Sequence, residues 1–237
     1  MRIAAISDLH IGACERTDGF AHDEAVFLGF LDRLQAEHER VVLLGDIFQT
    51  EHGTLPGRRS AARQLAHARA RVPRLCQRMR RPDYAYVHGN HDAIAHEVLG
   101  AATRLRIADS GFVAYFVHGH QFDPLLQYPM YPLSRAATWF TGRLRRARLG
   151  PLAEYFEQKD VQVKHRRLGG PSGPYARAAR RLLVRERADC VVMGHTHVAC
   201  RHEFAEGVLA NTGTCSRGQI SYVSIDTAAR TVVVRQR

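Results

Sequence analysis

Short apolar runs recur along the chain, and five of them end in side chains that can bind metals. The first run, residues 3–6, is followed by Asp8 and His10. The run 41–44 is followed by Asp46, and the run 84–87 is followed by Asn90, His91 and Asp92. The run 112–117 is followed by His118 and His120, and the run 190–193 is followed by His195 and His197. Runs of this length, rich in β-branched and aromatic residues, are typical of buried strands. Five strands are therefore predicted to deliver polar side chains to one site.

Between these strands the apolar residues adopt helical spacing. Residues 18–39 carry Phe27, Phe30, Leu31 and Leu34 on one stripe and are predicted to form a helix. The segment 58–81 has the same periodicity, and Pro73 should kink it or begin a second helix. The same patterns predict helices near 93–100 and over 174–187, a hairpin at 109–111, and antiparallel strands near 199–204, 208–211, 219–225 and 231–235.

The segment 121–173 interrupts this alternation. It holds five prolines, the single tryptophan and several other aromatic residues, and it lies between two of the metal-binding motifs. Ser134 can cap a helix that runs to about Leu149. In that helix Trp139, Phe140 and Leu144 are expected on one side and the arginines elsewhere. This position predicts a cap beside the metal site.

Basic residues are concentrated in two segments of a chain whose net charge is +11. Residues 54–82 hold nine arginines and no acid, and residues 130–187 hold twelve arginines and two lysines against four acids. Such segments attract phosphorylated or membrane-surface partners. The alternative is compositional: a genome that favours arginine makes every basic surface arginine-rich. That alternative explains the residue type but not the clustering.

Domain organisation and location follow from length and cysteine usage. We expect a single domain over residues 1–237, with 121–173 as a cap-like insert. The five cysteines form no C-x-x-C pair, so core thiols are expected rather than disulfides or a zinc finger. An apolar strand begins within a few residues of Met1, and no apolar stretch reaches the length of a membrane span. These features predict a cytoplasmic protein that can contact the inner membrane surface peripherally, and they leave its oligomeric state open.

The motif residues combine two kinds of donor. Carboxylate and amide oxygens mixed with imidazole nitrogens suit divalent first-row metals. The candidate ligands are Asp8, His10, Asp46, Asn90, His118, His195 and His197.

The order of these motifs resembles that of the calcineurin-like metallophosphoesterases, namely D-x-H, G-D, G-N-H-D/E, H-G-H and G-H-x-H. All five occur here in that order between residues 8 and 197. The resemblance implies an α/β fold, a four-layer αββα sandwich of two mixed β-sheets flanked by helices, here with a helical cap insert. It also implies two divalent metal ions, manganese first, with iron, zinc, cobalt or magnesium as alternatives.

The same resemblance implies a role for each ligand. One metal would bind Asp8, His10, Asp46 and His197, and the other would bind Asp46, Asn90, His118 and His195, so that Asp46 bridges. A hydroxide held between the metals would attack a phosphodiester or pyrophosphate directly, without a covalent phosphoenzyme.

His91 and Asp92 are the candidate catalytic residues. His91 follows a predicted ligand and would face the substrate, where an imidazolium can stabilise phosphoryl charge or protonate the leaving oxygen. Asp92 could orient the ring of His91. In the alternative, His91 only supports the ligands by hydrogen bonding. His88 and His120 are left open, and histidines outside the motifs, His52 among them, are expected to be surface or satisfied polar groups.

Several substrate classes remain within this family. The long insert resembles that of UDP-2,3-diacylglucosamine hydrolases, which cut a pyrophosphate at the membrane surface, and it favours an amphiphilic phosphorylated substrate. Many of those enzymes, however, have arginine at the position of His91 and aspartate at that of His120. The alternatives are a nuclease, which the basic segments favour although the chain has no recognisable nucleic-acid module, and another soluble phosphodiesterase or phosphatase. A non-catalytic binding protein is disfavoured because no ligand position is replaced.

Overall fold

The computed structural model describes residues 1–127, 129–149, 151–153, 155–156, 159 and 170–236. Its strands are β1 (Arg2–Ile6), β2 (Ile11–Gly12), β3 (Arg40–Leu44), β4 (Phe48–Gln49), β5 (Tyr84–Val87), β6 (Leu105–Asp109), β7 (Phe112–Phe116), β8 (Cys190–Met193), β9 (Cys200–Phe204), β10 (Gly207–Asn211), β11 (Ser221–Asp226) and β12 (Thr231–Gln236). Its α-helices are α1 (Glu24–Glu37), α2 (Arg58–Arg71), α3 (Pro73–Arg78), α4 (Ile94–Leu99), α5 (Tyr131–Arg146) and α6 (Pro174–Glu186), and short 3₁₀ turns cover Glu15–Thr17, His120–Phe122 and Pro124–Leu126.

Two five-stranded sheets form the centre of the fold. One has the order β12-β11-β1-β3-β5 and the other the order β6-β7-β8-β10-β9. In the first sheet β1, β3 and β5 are parallel, and β11 runs antiparallel to both β1 and β12. In the second sheet β7, β8 and β10 are parallel, and the outer strands β6 and β9 run antiparallel to their neighbours. Both sheets are therefore mixed, as expected.

The sheets pack face to face, and helices cover their outer faces. Ile3 and Ala5 of β1 join the core between the sheets, whereas Ala4 and Ile6 face the cluster under α1, α2 and α3. A third cluster packs α6 against the second sheet. Strands that are buried on both faces need apolar residues at every position, which explains why they appear in the sequence as continuous runs. The four-layer α/β sandwich is confirmed.

The first helix begins later than its apolar pattern suggested. Asp23 caps α1, since its Oδ1 accepts hydrogen bonds from the backbone N–H of Ala25 (2.8 Å) and Val26 (3.1 Å). The carboxylate of Asp18 instead accepts from the N–H of Gly12 at 2.7 Å and holds the loop after β2. The expected start at residue 18 was therefore wrong. The break at Pro73 is confirmed, because α3 begins there.

The tail and the insert also differ in detail from the expectation. The tail strands are present, but β10 pairs in parallel with β8 as well as antiparallel with β9. Helix α5 begins at Tyr131 rather than at Ser134, with a proline in its first turn, where no N–H partner is needed. The predictions for residues 128, 150, 154, 157–158 and 160–169 fall outside the described residues.

One edge of the molecule gathers all five motifs. The carboxyl ends of β1, β3 and β5 point to the same edge as those of β7 and β8, because these strands are parallel within their sheets. Helix α5 lies beside this edge and contacts the turns Glu15–Thr17 and Pro124–Leu126. Among the helices the structure describes, none has both the length and the apolar composition to cross a membrane.

Candidate metal centre

Five of the seven candidate ligands adopt a left-handed backbone conformation. The φ angles are 56° at Asp8, 53° at His10, 53° at Asp46, 68° at His195 and 59° at His197. Residues other than glycine adopt this region at a cost of about 1–2 kcal/mol each. Such strain persists where the surrounding structure enforces it, typically at functional sites. The chain after β1, β3 and β8 therefore makes sharp turns at the candidate ligands.

Glycines let these turns approach one another closely. A Cβ atom on Gly194 would lie 2.8 Å from Oδ2 of Asp8, and one on Gly89 would overlap the carboxylate of Asp46 and lie 2.6 Å from its backbone nitrogen. Any larger residue would push two ligand-bearing turns apart. Glycine at these positions therefore allows the ligand-bearing turns to pack closely against one another.

The first ligand group contains Asp8, His10 and His197. Their donor atoms lie within 4.8 Å of one another. Nε2 of His197 is 3.1 Å from both Oδ1 of Asp8 and Nε2 of His10. Burial, together with His197 and His91, lowers the pKa of His10 to about 3, so its ring is neutral and can offer a lone pair. Oδ2 of Asp8 already accepts hydrogen bonds from the hydroxyl of Ser7 and from the N–H of His195. Oδ1 is therefore the oxygen that could bind a metal.

The second group contains Asp46, His118 and His195, which also lie within 4.8 Å of one another. Nδ1 of His118 donates to the carbonyl of Leu44 at 2.7 Å, so its Nε2, 3.2 Å from Oδ2 of Asp46, carries the lone pair of the neutral ring. Burial alone would lower the pKa of His118, but the carboxylates of Asp46 and Asp8 raise it to about 9. The buried carboxylates thus favour a positive charge at Nε2, either a proton or a metal ion that would replace that proton.

Asp46 belongs to both sides of the centre. It groups with His118 and His195 on one side and with His10 and His91 on the other. Its Oδ2 lies 3.2 Å from Nε2 of His118 and 4.0 Å from Nε2 of His91, so the side chain stands between the two groups.

Three buried polar atoms of the candidate ligands have no hydrogen-bond partner. They are Oδ1 of Asp8, Oδ1 of Asn90 and Nε2 of His118. Buried polar atoms are nearly always paired, and an exception requires an explanation such as a bound ion. All three are lone-pair donors of the kind that divalent metals bind. The residues present therefore fit a metal centre.

His91 lies at the centre, but its ring is held by a residue that sequence reasoning missed. Its Nδ1 lies 3.1 Å from Oε1 of Gln49, and its backbone N–H donates to Oδ1 of Asp46 at 2.8 Å. Its Nε2 is 4.0 Å from Oδ2 of Asp46. The predicted interaction with Asp92 is thus replaced by one with Gln49.

Asp92 instead holds the backbone of the ligand turns. Its Oδ1 accepts from the N–H of Gly89 at 2.6 Å, and its Oδ2 accepts from the N–H of Ile47 at 2.7 Å and the hydroxyl of Tyr86 at 2.5 Å. The carboxylate is fully buried, which together with Asp46 raises its pKa. The expectation that Asp92 orients the ring of His91 is corrected, because its side chain joins the turns that carry Asp46 and Asn90.

Asp123 is a second residue that the sequence did not reveal. Its Oδ2 lies 2.9 Å from Nε2 of His195, and both side chains are buried. Its Oδ1 accepts from the N–H of Leu125 at 2.9 Å, which caps the turn Pro124–Leu126. A carboxylate behind a ligand histidine fixes its tautomer and raises its basicity.

Two further histidines lie beside the centre: His52, which differs from the expectation, and His120, whose role the sequence left open. His52 is buried, and its Nδ1 has no hydrogen-bond partner, so it is neither a surface nor a satisfied group. His120 has its ring 5.6 Å from that of His118, and burial followed by His118 lowers its pKa to about 3. Both stand beside the centre as neutral rings.

A cavity of ≈ 870 Å³ opens over the metal centre. Its floor includes the side chains of His10, Asp46, Asn90, His195 and His197. One wall is largely apolar and comes from the insert, with Leu125, Leu126, Met130, Leu133, Ala137, Phe140 and Phe156. The loop after β10 contributes a polar part of the lining, with Thr214, Ser216, Arg217 and Gln219. A ligand in this cavity would meet the metal centre, an apolar wall and a polar wall together.

Helix α5 is fixed against the body by a glycine and an arginine. A Cβ atom on Gly142 would lie 2.8 Å from the Cα of His52. Arg146 donates from Nε to the carbonyl of His52 at 2.8 Å and from a terminal nitrogen to Gln64 at 3.0 Å. Phe140 faces the cavity, whereas Trp139 lies under the guanidinium of Arg143 at 5.3 Å. The expectation that Trp139 and Phe140 share one face was therefore wrong.

The family model of the calcineurin-like phosphoesterases matches residues 1–199. The chain therefore belongs to the calcineurin-like phosphoesterases, a metal-dependent family of phosphoester hydrolases. No curated protein matches the chain.

Several solved structures are similar to this chain. A hypothetical protein of Pyrococcus horikoshii OT3 is similar over 99% of this chain and 87% of its own, at 10% identity and a TM-score of 0.53. Yfce, a phosphoesterase from E. coli, is similar over 100% of this chain and 98% of its own, at 17% identity and a TM-score of 0.45. Vps29 from Entamoeba histolytica, complexed with Zn²⁺, is similar over 100% of this chain and 98% of its own, at 14% identity and a TM-score of 0.43.

Proposed function

We propose that the protein hydrolyses a phosphodiester or pyrophosphate bond with two divalent metals held by Asp8, His10, Asp46, Asn90, His118, His195 and His197. The observation that carries this proposal is the set of three buried donor atoms without partners, on Asp8, Asn90 and His118. Asp8 groups with His10 and His197, and His118 groups with Asp46 and His195. Manganese is the proposed metal, with iron, zinc, cobalt or magnesium as alternatives, because mixed oxygen and nitrogen donors suit divalent metals of this kind.

The chain's own residues position the substrate and move protons. When bound, the metals supply Lewis acidity, which lowers the pKa of water and neutralises phosphate charge. His91 lies on the cavity wall, and Gln49 holds its Nδ1, so that Nε2 is the atom available to the substrate. A proton on this Nε2 can pass to the leaving oxygen.

The test is metal analysis combined with a substrate panel. Purified protein loaded with manganese should contain about two metals per chain and should hydrolyse bis-p-nitrophenyl phosphate. The panel should also contain p-nitrophenyl phosphate, UDP-diacylglucosamine and single-stranded DNA. Turnover that persists in EDTA-stripped protein would refute the metal mechanism. Preferential cleavage of DNA would assign the alternative nuclease function.

The substrate proposed for this site is amphiphilic, like a UDP-diacylglucosamine lipid precursor. The support is the apolar wall beside the metal centre, on which the side chains of Leu133 and Phe140 are 63% and 55% exposed. Exposed apolar side chains of this size usually mark a binding surface when they occur together. The same segment exposes Leu125, Met130, Leu149, Leu152, Tyr155 and Phe156.

This apolar surface, bordered by the arginines of α5, also supports contact with an anionic membrane surface. Replacing Leu133 and Phe140 by Ser should raise KM for a diacylated sugar nucleotide more than for bis-p-nitrophenyl phosphate. Binding to anionic vesicles should weaken as salt rises, because charge attraction is screened. Val184 of α6, which is 65% exposed and does not line the cavity, offers a matched control substitution. Equal losses on both substrates, without vesicle binding, would assign a soluble substrate.

A further inference from the structure

The outer face of α6 carries a row of arginines. The inner face of this helix is apolar and packs in the core cluster beneath it, against the second sheet. From Arg177 to Arg185, every exposed position is an arginine except Val184. Arg177, Arg181 and Arg185 follow one another at intervals of four residues, with about 6 Å of rise along the helix at each step. The helix therefore presents regularly spaced positive charges to solvent.

These arginines line a groove that is separate from the cavity over the metal centre. The groove has a volume of ≈ 460 Å³ and lies between α6 and the turn that joins β9 to β10. Its lining residues are Arg177, Arg180, Arg181, Val184, Arg185 and Glu206, and none of these six lines the cavity. We call this depression the α6 groove. It brings four arginines and one acid together at one surface site.

The acids beside the α6 groove are already paired. Glu206 accepts hydrogen bonds from Nε of Arg180 at 3.0 Å and from a terminal nitrogen of the same side chain at 2.7 Å. Glu186 accepts from Nε of Arg185 at 2.8 Å. Both ion pairs are held by two nitrogens of a guanidinium or lie within one helix turn, so neither acid is available to the remaining arginines.

Arg177 and Arg181 keep a charge that no acid offsets. In the part of the chain that the structure describes, neither forms an ion pair, and Arg177 donates to the neutral carbonyl of Ser172. Like charges four residues apart destabilise a helix, so the row lowers the stability of the free protein. Features that oppose stability in this way are found at functional surfaces, where a partner compensates them.

We propose that the α6 groove binds the phosphate backbone of a nucleic acid without regard to base sequence. Guanidinium groups match phosphate oxygens in pairs, and they are the usual partners of nucleic-acid phosphates. A nucleic-acid strand repeats one negative charge per nucleotide, as the row on α6 repeats one positive charge per step. The groove lining has no aromatic or amide side chain for reading bases. This inference does not depend on which phosphate ester the metal centre hydrolyses.

An anionic membrane is the competing partner, and the structure disfavours it here. Helices that lie on membranes insert an apolar face while their basic residues meet the head groups. The apolar face of α6 is buried against the second sheet, and Val184 is the one apolar residue on the exposed stretch. A concave groove also meets a flat lipid surface only at its rims. A charged chain that lies along the groove can contact all four arginines.

The experiment measures how binding to a DNA duplex depends on salt. A short labelled duplex with a phosphorothioate backbone, which resists hydrolysis, is titrated with manganese-loaded protein and followed by fluorescence anisotropy. The logarithm of the association constant should fall linearly with the logarithm of the salt concentration, with a slope of about −0.9 per neutralised phosphate. Arg177→Gln combined with Arg181→Gln should reduce the size of this slope by about 1.8. Duplexes of unrelated sequence should bind equally.

The matched control removes two charges elsewhere. Arg59 and Arg63 are exposed on α2 with the same four-residue spacing, and Arg59→Gln combined with Arg63→Gln should keep the wild-type slope. Glu206→Gln releases Arg180 and should strengthen duplex binding. Equal losses of slope in the two double variants would assign the binding to net charge alone and overturn the proposal. So would a duplex complex that Glu206→Gln weakens.

Two further measurements test the state of the variant and the class of partner. The double variant of α6 should melt at or above the wild-type temperature at low salt, because removal of like charges relieves repulsion. Its loss of binding is then not a loss of fold. Unlabelled duplex should displace the labelled duplex more effectively than anionic vesicles or polyglutamate at equal charge. If vesicle binding were lost in the double variant while the duplex slope stayed unchanged, the groove would be a membrane contact and the proposal would be wrong.

Discussion

The carboxylate of Asp123 lies 2.9 Å from Nε2 of His195, and its other oxygen caps the turn that begins the apolar wall of the cavity. One buried side chain thus connects a candidate metal ligand to the insert. Asp123→Asn can still cap the turn through its amide oxygen, but it cannot supply a carboxylate to the imidazole. We expect metal affinity to fall about 10–100-fold, measured by calorimetry with Mn²⁺. Restored affinity in Asp123→Glu would support positioning, and unchanged affinity in Asp123→Asn would contradict it.

Asp46→Asn should remove most of the metal and the activity. Asp46 is shared by two ligand groups, and a neutral amide bridges two cations poorly. Metal content by plasma emission spectrometry should drop from about two per chain towards one or none. Asp32→Asn, an exposed aspartate on α1, is the matched control and should keep full metal content. Retention of both metals in Asp46→Asn would exclude the bridging role.

His91→Asn should lower turnover by about 10²–10⁴-fold while metal content stays nearly unchanged. The reason is that Nε2 of His91 is available to the substrate while Gln49 holds its Nδ1. Gln49→Ala should lower turnover in the same direction but by less, since it frees the ring without removing it. Steady-state rates should be read alongside metal analysis of the same samples. If metal content and turnover fell together, His91 would instead be a residue that supports the metal ligands.

Gly142→Ala should destabilise the protein by about 1–3 kcal/mol, as overpacking does. The added methyl would lie 2.8 Å from the Cα of His52, so α5 would have to move. Alanine is otherwise the better helix former, and Gly29→Ala in α1 provides the comparison. A Cβ there meets only a terminal nitrogen of Arg33 at 4.0 Å, so this change should stabilise by about 0.5–1 kcal/mol. Thermal unfolding should show a lower melting temperature for Gly142→Ala and a higher one for Gly29→Ala. If both substitutions raised the melting temperature, the packing of α5 on His52 would be contradicted.

Asp109 should make stability depend on pH in the acid range. The hydroxyl of Thr227, the α-amino group of Met1 and the hydroxyl of Ser110 lower the pKa of Asp109 from 3.8 to about 2. Because the folded pKa is the lower one, the stabilisation is complete above pH 3.8 and is lost as the pH falls towards 2. The melting temperature of the wild type should exceed that of Asp109→Asn at neutral pH, and the difference should shrink across this interval. Thr227→Val should raise the pKa of Asp109 in an NMR titration; a pH-independent difference would contradict this account.

Much of the fold and most of the candidate ligands could be predicted from local patterns. The strands β1, β3, β5, β7 and β8 are buried on both faces, so each appears as an apolar run with a polar residue at its end. The break at Pro73 followed in the same way, because proline lacks the N–H that a helix interior requires. Helix starts were harder, since Asp18 and Asp23 are equally good caps in sequence. Only the contact of Asp18 with Gly12 selects Asp23.

The sequence by itself determined the ligand types, their order and the class of fold, because these depend on residue chemistry and on short-range periodicity. The tertiary structure alone decided which residues support the ligands and what surrounds them. Gln49 meets His91 and Asp123 meets His195 across separations of 42 and 72 residues, and no periodic pattern marks such pairs. The same holds for the burial of His52 under Gly142. These contacts arise from the packing of two sheets, a helix and loops that fold into place together.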